Sequence, residues 1–267
     1  VLVFMDLADR AWKWDDQKNA PAVECKLHVW AARSLDGGET WVDVQRIQEG
    51  YCGAVRDLVE TRDGNIVATV QRLLPDKARH ASMPYVSTDK GKTWRETTLL
   101  DIGGRGHHDG SIEATAEELK DGRLWMLLRT NHDRFWEAFS HDGGRTWRDF
   151  RESAIDASSA PGMLKRLESG RLVLLWNRLY PEGKTSVARR GLPWNERPAS
   201  YHREELSIAF SEDDGKTWTD PVVIARKPGT WLAYPYVFEH RPGELWVTTM
   251  QGGLRLRLYE KDFASRE

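Results

Sequence analysis

Cysteine is scarce in this chain of 267 residues, which contains only Cys25 and Cys52. Two cysteines so far apart do not form the closely spaced ligand pairs of a structural zinc site. They are either two buried thiols or one disulfide, and we favour buried thiols, because free cysteine commonly packs as a small apolar side chain. No other ligand set with metal spacing occurs, so we expect neither a metal nor another cofactor.

Long apolar runs and an excess of charge are also missing. No run approaches the roughly 20 apolar residues that a membrane-spanning helix needs. The formal net charge is −2, which gives no reason to expect a nucleic acid or a membrane surface as partner. No signal peptide is present, but the sequence opens at Val1 inside a strand-like apolar run, so we expect a preceding segment to have been removed. A secreted or periplasmic location is favoured over a cytoplasmic one.

Tryptophan, by contrast, is abundant, and four of the 13 tryptophans end a repeated motif. The pattern Ser-x-Asp-x-Gly-x-Thr-Trp occurs at Ser34–Trp41, Ser87–Trp94, Ser140–Trp147 and Ser211–Trp218. Each copy follows a strand-like run and therefore predicts a hairpin turn. In such a turn the Asp and Ser side chains accept backbone N–H bonds, and glycine permits a positive φ.

A second signal alternates with this motif along the chain. Tight glycine hairpins at Gly64, Gly122, Gly170 and Gly243 are each followed by a strongly apolar strand. Successive motif serines lie 53, 53 and 71 residues apart, a period that suits the four-stranded blade of a β-propeller. We therefore predict an all-β protein in which each blade contains one glycine hairpin and one Ser/Asp motif.

The repeat predicts one domain over residues 1–267, with these blade boundaries. Residues 1–49 hold a partial blade, residues 232–264 hold a closing blade, and complete blades cover 53–101, 110–152 and 160–225. The irregular stretch 180–202, rich in Arg, Pro and Gly, is predicted to be a rim loop over the pocket.

The first strand of each blade lines the propeller axis, so polar side chains at equivalent repeat positions should share one pocket. Gln71, Arg129 and Asn177 each stand seven residues after a hairpin glycine. Glu113 and Tyr234 each stand nine residues before one. Blade geometry therefore gathers a carboxylate, a guanidinium, a phenol and two amides as candidate site residues.

The repeated motif is the Asp-box, and its recurrence resembles the sialidase (neuraminidase) superfamily of Asp-box, or BNR-repeat, β-propellers. This resemblance implies a six-bladed propeller of four-stranded antiparallel blades, so we expect one blade, or part of one, to precede Val1. It also implies an exo-acting retaining glycoside hydrolase that cleaves a terminal acidic sugar, sialic acid or a related one, from a glycan.

The resemblance extends to four residues in matching order along the chain. The segment from Ile112 to Arg129 is similar to the family's glutamate strand and second arginine. Arg203 resembles the third arginine, and Tyr234 lies in a Tyr-Pro-Tyr segment similar to the nucleophile strand. The family roles imply that Glu113 takes the phenolic proton, Tyr234 attacks, and the arginines hold the substrate carboxylate.

These residue types suit a substrate with a carboxylate on its anomeric carbon. An anionic nucleophile would be repelled by that carboxylate, whereas a neutral phenol activated by a nearby base avoids the repulsion. Sialidases with a tyrosine nucleophile are an exception to hydrolysis by two carboxylates. Arginine holds a carboxylate through a two-pronged contact that lysine cannot make.

Each assignment has a structural alternative. Arg129 and Arg203 could be surface cations, and Glu113 could be a solvated strand residue. Tyr234 could serve only to pack in an aromatic cluster. Tyr236, two residues further on, points the same way and is the alternative nucleophile.

The match to the family is incomplete at two positions. The first arginine, in its Arg-Ile-Pro context, is absent, and Arg56 is excluded as a substitute because it stands eight residues before Gly64, which gives its side chain the opposite parity to Glu113. The acid/base aspartate has one candidate, Asp15, on a long loop, where a solvated role is the alternative.

Two other functions stay open. His107 and His108 begin the Glu113 strand and are expected at the pocket mouth, where His108 would contact the substrate. Paired histidines would also suit a polysaccharide lyase, or a hydrolase, that acts on uronate-containing glycans. The incomplete arginine and acid set also suits a propeller that binds an acidic glycan without catalysis. The oligomeric state is left open.

Overall fold

The computed structural model describes residues 1–186, 188–192 and 195–263. Apart from two short 3₁₀ helices, Leu7–Asp9 and Glu260–Phe263, its regular structure is β-strand, as predicted. In chain order the strands are β1 (Leu2–Met5), β2 (Trp14–Asp15), β3 (Ala20–Pro21), β4 (Val29–Arg33), β5 (Val42–Gln48), β6 (Val55–Glu60), β7 (Ile66–Leu74), β8 (Arg79–Ser82), β9 (Tyr85–Ser87), β10 (Arg95–Glu96), β11 (Ile112–Glu118), β12 (Leu124–Arg129), β13 (Arg134–Ser140), β14 (Arg148–Asp156), β15 (Met163–Arg166), β16 (Leu172–Trp176), β17 (Arg189–Leu192), β18 (Asn195–Ser200), β19 (Glu205–Ser211), β20 (Val222–Arg226), β21 (Pro235–Arg241), β22 (Glu244–Thr249) and β23 (Arg255–Tyr259).

These strands form antiparallel sheets in the order expected for propeller blades. The sheets run β1-β4-β5, β6-β7-β9-β10 with β8 also paired to β7, β11-β12-β13-β14, β15-β16-β19-β20 and β21-β22-β23. Two ribbons, β2-β3 and β17-β18, lie outside these sheets. The all-β fold with four-stranded antiparallel blades is therefore confirmed, while the number of blades and the single-domain division stay predictions.

The apolar cores lie between neighbouring sheets. The second strands β12 and β16 are buried along their whole length, because each is covered on both faces. Their first-strand neighbours meet across the sheets, and β11 contacts both β6 and β15. Residues near the starts of these first strands therefore lie close to one another, although they are far apart in sequence.

All four Asp-boxes form the turn that the sequence predicts. In the third box, Ser140 Oγ accepts a hydrogen bond from the Gly144 amide at 2.8 Å, and Asp142 Oδ1 accepts one from the Thr146 amide at 2.9 Å. The same bonds recur in the boxes that begin at Ser34, Ser87 and Ser211.

The third box also packs against the second sheet. A methyl group added to Gly144 would lie 2.3 Å from Val67 Cγ2, so glycine is required there for close approach as well as for its positive φ. Trp147 in this box is only 4% exposed. Trp41, in the first box, is 44% exposed. The same local turn therefore has a different tertiary role in the two boxes.

The stretch 180–202 departs from the prediction of an irregular loop, because β17 and β18 pair into a hairpin within it. The hairpin is anchored by an ion pair between Arg189 and Asp133. The Glu196 amide also donates to the Arg105 carbonyl at 3.2 Å. This hairpin and the loop before β11 therefore lie side by side.

Both cysteines are free thiols. Cys52 is fully buried, and burial raises the pKa of its thiol to about 12. Cys25 is only partly buried, with its Sγ 3.0 Å from the Lys13 carbonyl. No helix in the described ranges has the length and apolar character needed to cross a membrane.

We expect Ser140→Ala to destabilise the protein by about 1–3 kcal/mol, because the buried Gly144 amide loses its acceptor. Ser34→Ala, in the exposed first box, is the matched control and should cost less, since water replaces the lost bond. Urea unfolding of both variants measures the difference. Equal destabilisation would show that packing against the second sheet adds nothing to the turn.

Candidate active site

Glu113 lies at the start of β11, where the strand is irregular. The pairing of β11 with β12 shifts register between Ile112 and Thr115, which inserts one extra residue. Glu113 itself has a φ of 48°, in the left-handed region that residues other than glycine rarely adopt. The bulge and this φ together determine where the carboxylate points.

Arg129, at the end of β12, forms an ion pair with Glu113. Its Nη1 lies 2.5 Å from Glu113 Oε2, and the Arg129 side chain is only 2% exposed. On its other side, Arg129 donates from Nε and Nη2 to Ser159 Oγ, both at 3.1 Å. Ser159 in turn donates to Asn131 Oδ1 at 2.7 Å. The guanidinium is therefore held in a fixed orientation by partners from two sheets.

Tyr234, just before β21, completes the contact. Its hydroxyl donates to Glu113 Oε1 at 2.8 Å and accepts from Arg129 Nη1 at 3.2 Å. Its φ is 59°, so the phenol, like the carboxylate, is presented from a left-handed backbone position. Tyr236, the alternative nucleophile, is 52% exposed and stands further along the strand. The structure thus brings Glu113, Arg129 and Tyr234 together, as the sequence predicts.

Arg203 lies beside the phenol. Its guanidinium carbon is 5.8 Å from the centroid of the Tyr234 ring and 4.5 Å from that of Trp231. Its Nη1 donates to Gln251 Oε1 at 3.1 Å, and its Nη2 donates to the Ser159 carbonyl. Arg203 is 2% exposed, so it is not the surface cation considered above.

Arg56 is also part of this cluster, and the parity argument that excluded it is wrong. Its guanidinium carbon lies 5.5 Å from the Tyr234 ring centroid, and its Nη2 donates to the Pro235 carbonyl at 3.2 Å. Parity assumes an unbroken strand, but the pairing of β6 with β7 shifts register between Val55 and Asp57. The extra residue there is Arg56, and a bulge resets which face a side chain occupies.

The cluster has strong electrostatic coupling. Burial alone would raise the pKa of Glu113, but the charge and hydrogen bond of Arg129 outweigh it and lower that pKa, and Arg56 adds to the effect. Burial raises the pKa of Tyr234 above its usual value, although Arg129 and Arg203 oppose the shift. Burial, then the charge of Arg129, lowers the pKa of Arg203 to about 10. At neutral pH the site therefore holds a carboxylate, a neutral phenol and three guanidinium ions.

The two amide side chains predicted to bind the substrate, Asn177 and Gln71, contact other parts of the protein. Both amide hydrogens of Asn177 are used inside the protein, on the carbonyls of Glu205 at 2.7 Å and Leu232 at 3.0 Å. Asn177 therefore links the segment just after Arg203 to the segment just before Tyr234. Its amide hydrogens are not available to a ligand. Gln71 is buried beneath Gly53, where an added methyl group would lie 2.1 Å from its Nε2. The Gln71 amide donates to the Ala54 carbonyl at 2.9 Å, and the Gln71 carbonyl accepts from Gln48 Nε2 at 3.2 Å, so the contacts described for Gln71 do not include the Tyr234 cluster.

Asp15 is the last residue of β2 and not part of a long loop; its side chain caps the turn between β2 and β3, in line with the solvated alternative. Its Oδ1 accepts from the amides of Gln17 and Lys18, both at 3.1 Å. The hydrogen bond from the Lys18 amide is the main reason why the pKa of Asp15 is lowered. A general acid needs a raised pKa, so the acid role predicted for Asp15 gains no support from this geometry.

His108 lies beside the arginines, in a stack of rings. His107 and His108 are parallel, 4.3 Å apart between centroids, and Trp12 lies 4.1 Å from His107. Burial, followed by the charges of His107, Arg129 and Arg203, lowers the pKa of His108 to about 3. Burial also lowers the pKa of His107, so both imidazoles are neutral at physiological pH. Within the described part of the chain, no three His, Cys, Asp or Glu side chains are grouped to hold a metal.

Comparison with known proteins agrees with this architecture. Residues 2–247 match the BNR repeat-like domain family. The chain belongs to this family. No match was found among the curated proteins.

Several solved structures share the fold at low identity. The Hadza microbial sialidase Hz136 is 18% identical with a TM-score of 0.62, over 90% of this chain and 45% of that one. The K499G mutant of the NanB sialidase from Streptococcus pneumoniae is 16% identical with a TM-score of 0.60, over 89% and 36%. The GH93 α-L-arabinofuranosidase of Fusarium graminearum is 16% identical with a TM-score of 0.54, over 84% and 67%. The chain thus spans less than half the length of these two sialidases, and its fold is that of a sialidase-type, glycosidase-like propeller.

We expect Arg129→Met to destabilise the protein by about 3–5 kcal/mol at pH 7, because Glu113 is left buried and unpaired. In this variant burial raises the pKa of Glu113 above its ordinary value, so protonation relieves the penalty as the pH falls. The difference from wild type should therefore shrink between pH 7 and pH 5 in urea unfolding. The double variant Arg129→Met/Glu113→Gln is the control and should lack this pH dependence. A penalty in Arg129→Met that does not change with pH would contradict the coupling.

Proposed function

We propose that this protein is an exo-acting retaining glycoside hydrolase of sialidase type, which removes a terminal acidic sugar from a glycan. The observation that carries the proposal is the contact of Tyr234 with Glu113 at 2.8 Å inside a group of three arginines. A phenol paired with a carboxylate is an activated nucleophile. The fold it shares with sialidases and an arabinofuranosidase supports glycoside hydrolysis in general.

The charge around the phenol favours an acidic substrate. Arg56, Arg129 and Arg203 supply three positive charges, and Glu113 balances one of them. The excess of positive charge in a buried site would be costly without an anion to offset it. A substrate carboxylate would supply that anion and accept the paired N–H donors of a guanidinium. A neutral sugar such as an arabinofuranoside would leave this charge uncompensated.

The proposed reaction has two stages. Glu113 takes the proton of the Tyr234 hydroxyl while the phenolic oxygen bonds to the anomeric carbon and the bond to the leaving group breaks. The leaving group departs as an anion and takes a proton from solvent. Water then attacks the anomeric carbon on the face that the leaving group vacated, loses a proton to solvent and displaces the phenolate of Tyr234, which takes its proton back from Glu113. Two inversions release the sugar with retained configuration. The lowered pKa of Glu113 keeps it ionised as the base, and the charges of Arg129 and Arg203 favour the phenolate that develops.

The first test is hydrolysis of an aryl sialoside, whose good leaving group needs little help from an acid. Tyr234→Phe should lower kcat on the order of 10³-fold or more, since the nucleophile is removed. Glu113→Gln should lower it by about 10²–10⁴-fold. Tyr236→Phe is the matched control and should retain wild-type turnover.

Three outcomes would count against the proposal. They are an inactive wild type, an active Tyr234→Phe variant, or a Tyr236→Phe variant that loses activity instead. An acidic glycan that binds without turnover would support the non-catalytic alternative.

Arg56 gives an independent test of the three-arginine arrangement. We expect Arg56→Ala to lower kcat/KM for the aryl sialoside by roughly 10- to 100-fold, mainly through KM, because a charged hydrogen bond to the substrate is lost. Arg56→Lys should recover only part of this, since an ammonium cannot make the two-pronged contact. Initial rates over a range of substrate concentrations separate KM from kcat. An unchanged KM would remove Arg56 from the binding site.

The lyase alternative rests on the two histidines. Neutral imidazoles beside Arg129 could take a proton from a uronate, and the same arginines could hold its carboxylate. A lyase would form an unsaturated uronate that absorbs in the near ultraviolet. Appearance of that signal with a uronate polymer, without hydrolysis of the sialoside, would favour this alternative.

A further inference from the structure

A cavity of about 340 Å³ lies beside Tyr201 and Trp231, two rings that Arg203 contacts in addition to Tyr234. This volume is within the range of small-molecule binding sites. The cavity is lined by residues of the 180–202 insertion and of the approach to β21, among them Arg189, Arg190, Tyr201, His202 and Trp231. Neither Tyr234 nor Glu113 lines it, but Arg203 connects the two places because it contacts both the lining rings and Tyr234.

The wall between the two sites is aromatic and cationic. The rings of Tyr201 and Trp231 are stacked, with centroids 6.3 Å apart and planes at 12°. Arg203 contacts both rings, with its guanidinium carbon 5.3 Å from Tyr201 and 4.5 Å from Trp231. Because Arg203 also contacts Tyr234, with its guanidinium carbon 5.8 Å from that ring, the cavity lining and the reacting phenol are linked through this one side chain. A group bound in the cavity would therefore lie next to the sugar held at Tyr234.

The cavity also carries a cation of its own. The exposed Arg190 has its guanidinium carbon 5.1 Å from the Tyr201 ring and 5.7 Å from the Trp231 ring. Arg189 pairs with Asp133, whereas Arg190 forms no ion pair with any residue that the structure describes, so it supplies the cavity's charge. The described residues that line the cavity include no aspartate or glutamate.

Other features of the wall suit a sugar. Trp231 is 38% exposed, which leaves ring surface for the apolar side of a pyranose. The Tyr201 hydroxyl is buried and has no hydrogen-bond partner within the described ranges. A buried hydroxyl without a partner is costly, so Tyr201 holds an unused hydrogen-bonding group next to the cavity that it lines.

We propose that this cavity binds a second anionic sugar unit, one that carries a carboxylate or a sulfate and is linked to the terminal acidic sugar. Trp231 packs on the ring of this unit, and Arg190 pairs with its acidic group. The preferred substrate is then a glycan that ends in two neighbouring acidic sugars, and not an acidic sugar on a neutral chain. This inference rests on the proposed function, because it takes the terminal sugar to lie at Tyr234.

The test compares substrates that differ only in the unit placed in the cavity. These are an aryl sialoside, a sialyl unit on a neutral galactoside, the same galactoside carrying a sulfate, and a sialyl-sialoside. We expect kcat/KM for one of the two acidic forms to exceed that for the neutral galactoside by about tenfold. Arg190→Ala should reduce that ratio about tenfold, and Arg190→Lys should restore it in part. Arg95→Ala, which removes a charge from the exposed strand β10, is the control and should leave the ratio unchanged.

The sulfated galactoside and the sialyl-sialoside distinguish the two sources of the anion. A wild-type enzyme that prefers the neutral galactoside, or a ratio that Arg190→Ala does not change, would overturn the inference. If the aryl sialoside is not hydrolysed at all, the proposed function fails by itself. The cavity is then tested by calorimetry with the sialyl-sialoside. Binding by wild type that weakens about tenfold in Arg190→Ala supports the inference. Equal binding by both proteins, or no binding by wild type, refutes it.

Discussion

The ion pair between Arg129 and Glu113 is the interaction on which the rest of the site depends. A carboxylate and a guanidinium removed from water are costly unless each is paired and further hydrogen-bonded. The two partners are neighbours within one sheet, but the remaining carboxylate oxygen accepts from Tyr234, which comes from another sheet. The pair therefore needs the packing of separate sheets, and it keeps Glu113 ionised next to the hydroxyl it would deprotonate.

Hydrogen bonds between sheets hold the strands in the alignment that this ion pair and its contact with Tyr234 require. Asp57, next to Arg56, is partly buried and accepts from Thr115 Oγ1 at 2.8 Å and from the Ala116 amide at 3.0 Å, which joins β6 to β11. Asn177 joins the chain near Arg203 to the chain near Tyr234. Apolar contacts between sheets have no direction, whereas these bonds have a required length and angle. These hydrogen bonds therefore fix the relative positions of neighbouring sheets, which apolar packing alone would allow to shift slightly.

The sequence predicts most of the fold because its signals are local and repeated. Each Asp-box forms its turn from atoms within eight residues, so four copies identify four hairpins without any tertiary information.

Arg129 and Asn177 occupy the same repeat position, yet only the long guanidinium reaches the phenol, while the short amide bonds to nearby carbonyls. Arg56 could not be predicted by parity, because a single inserted residue reverses the face and leaves no mark in the composition. Asp15 lies outside the repeat, so no equivalent position indicated its surroundings.

The left-handed backbone of Glu113 and Tyr234 has a consequence for how this protein can be stabilised. Positive φ at such residues costs on the order of 1–3 kcal/mol each, and glycine or asparagine would relieve part of it. Selection for heat resistance alone would therefore tend to replace the same two side chains that the proposed reaction requires. A substitution that raises thermal stability at either position would therefore lower turnover, so stabilising substitutions have to be made elsewhere in the sheets.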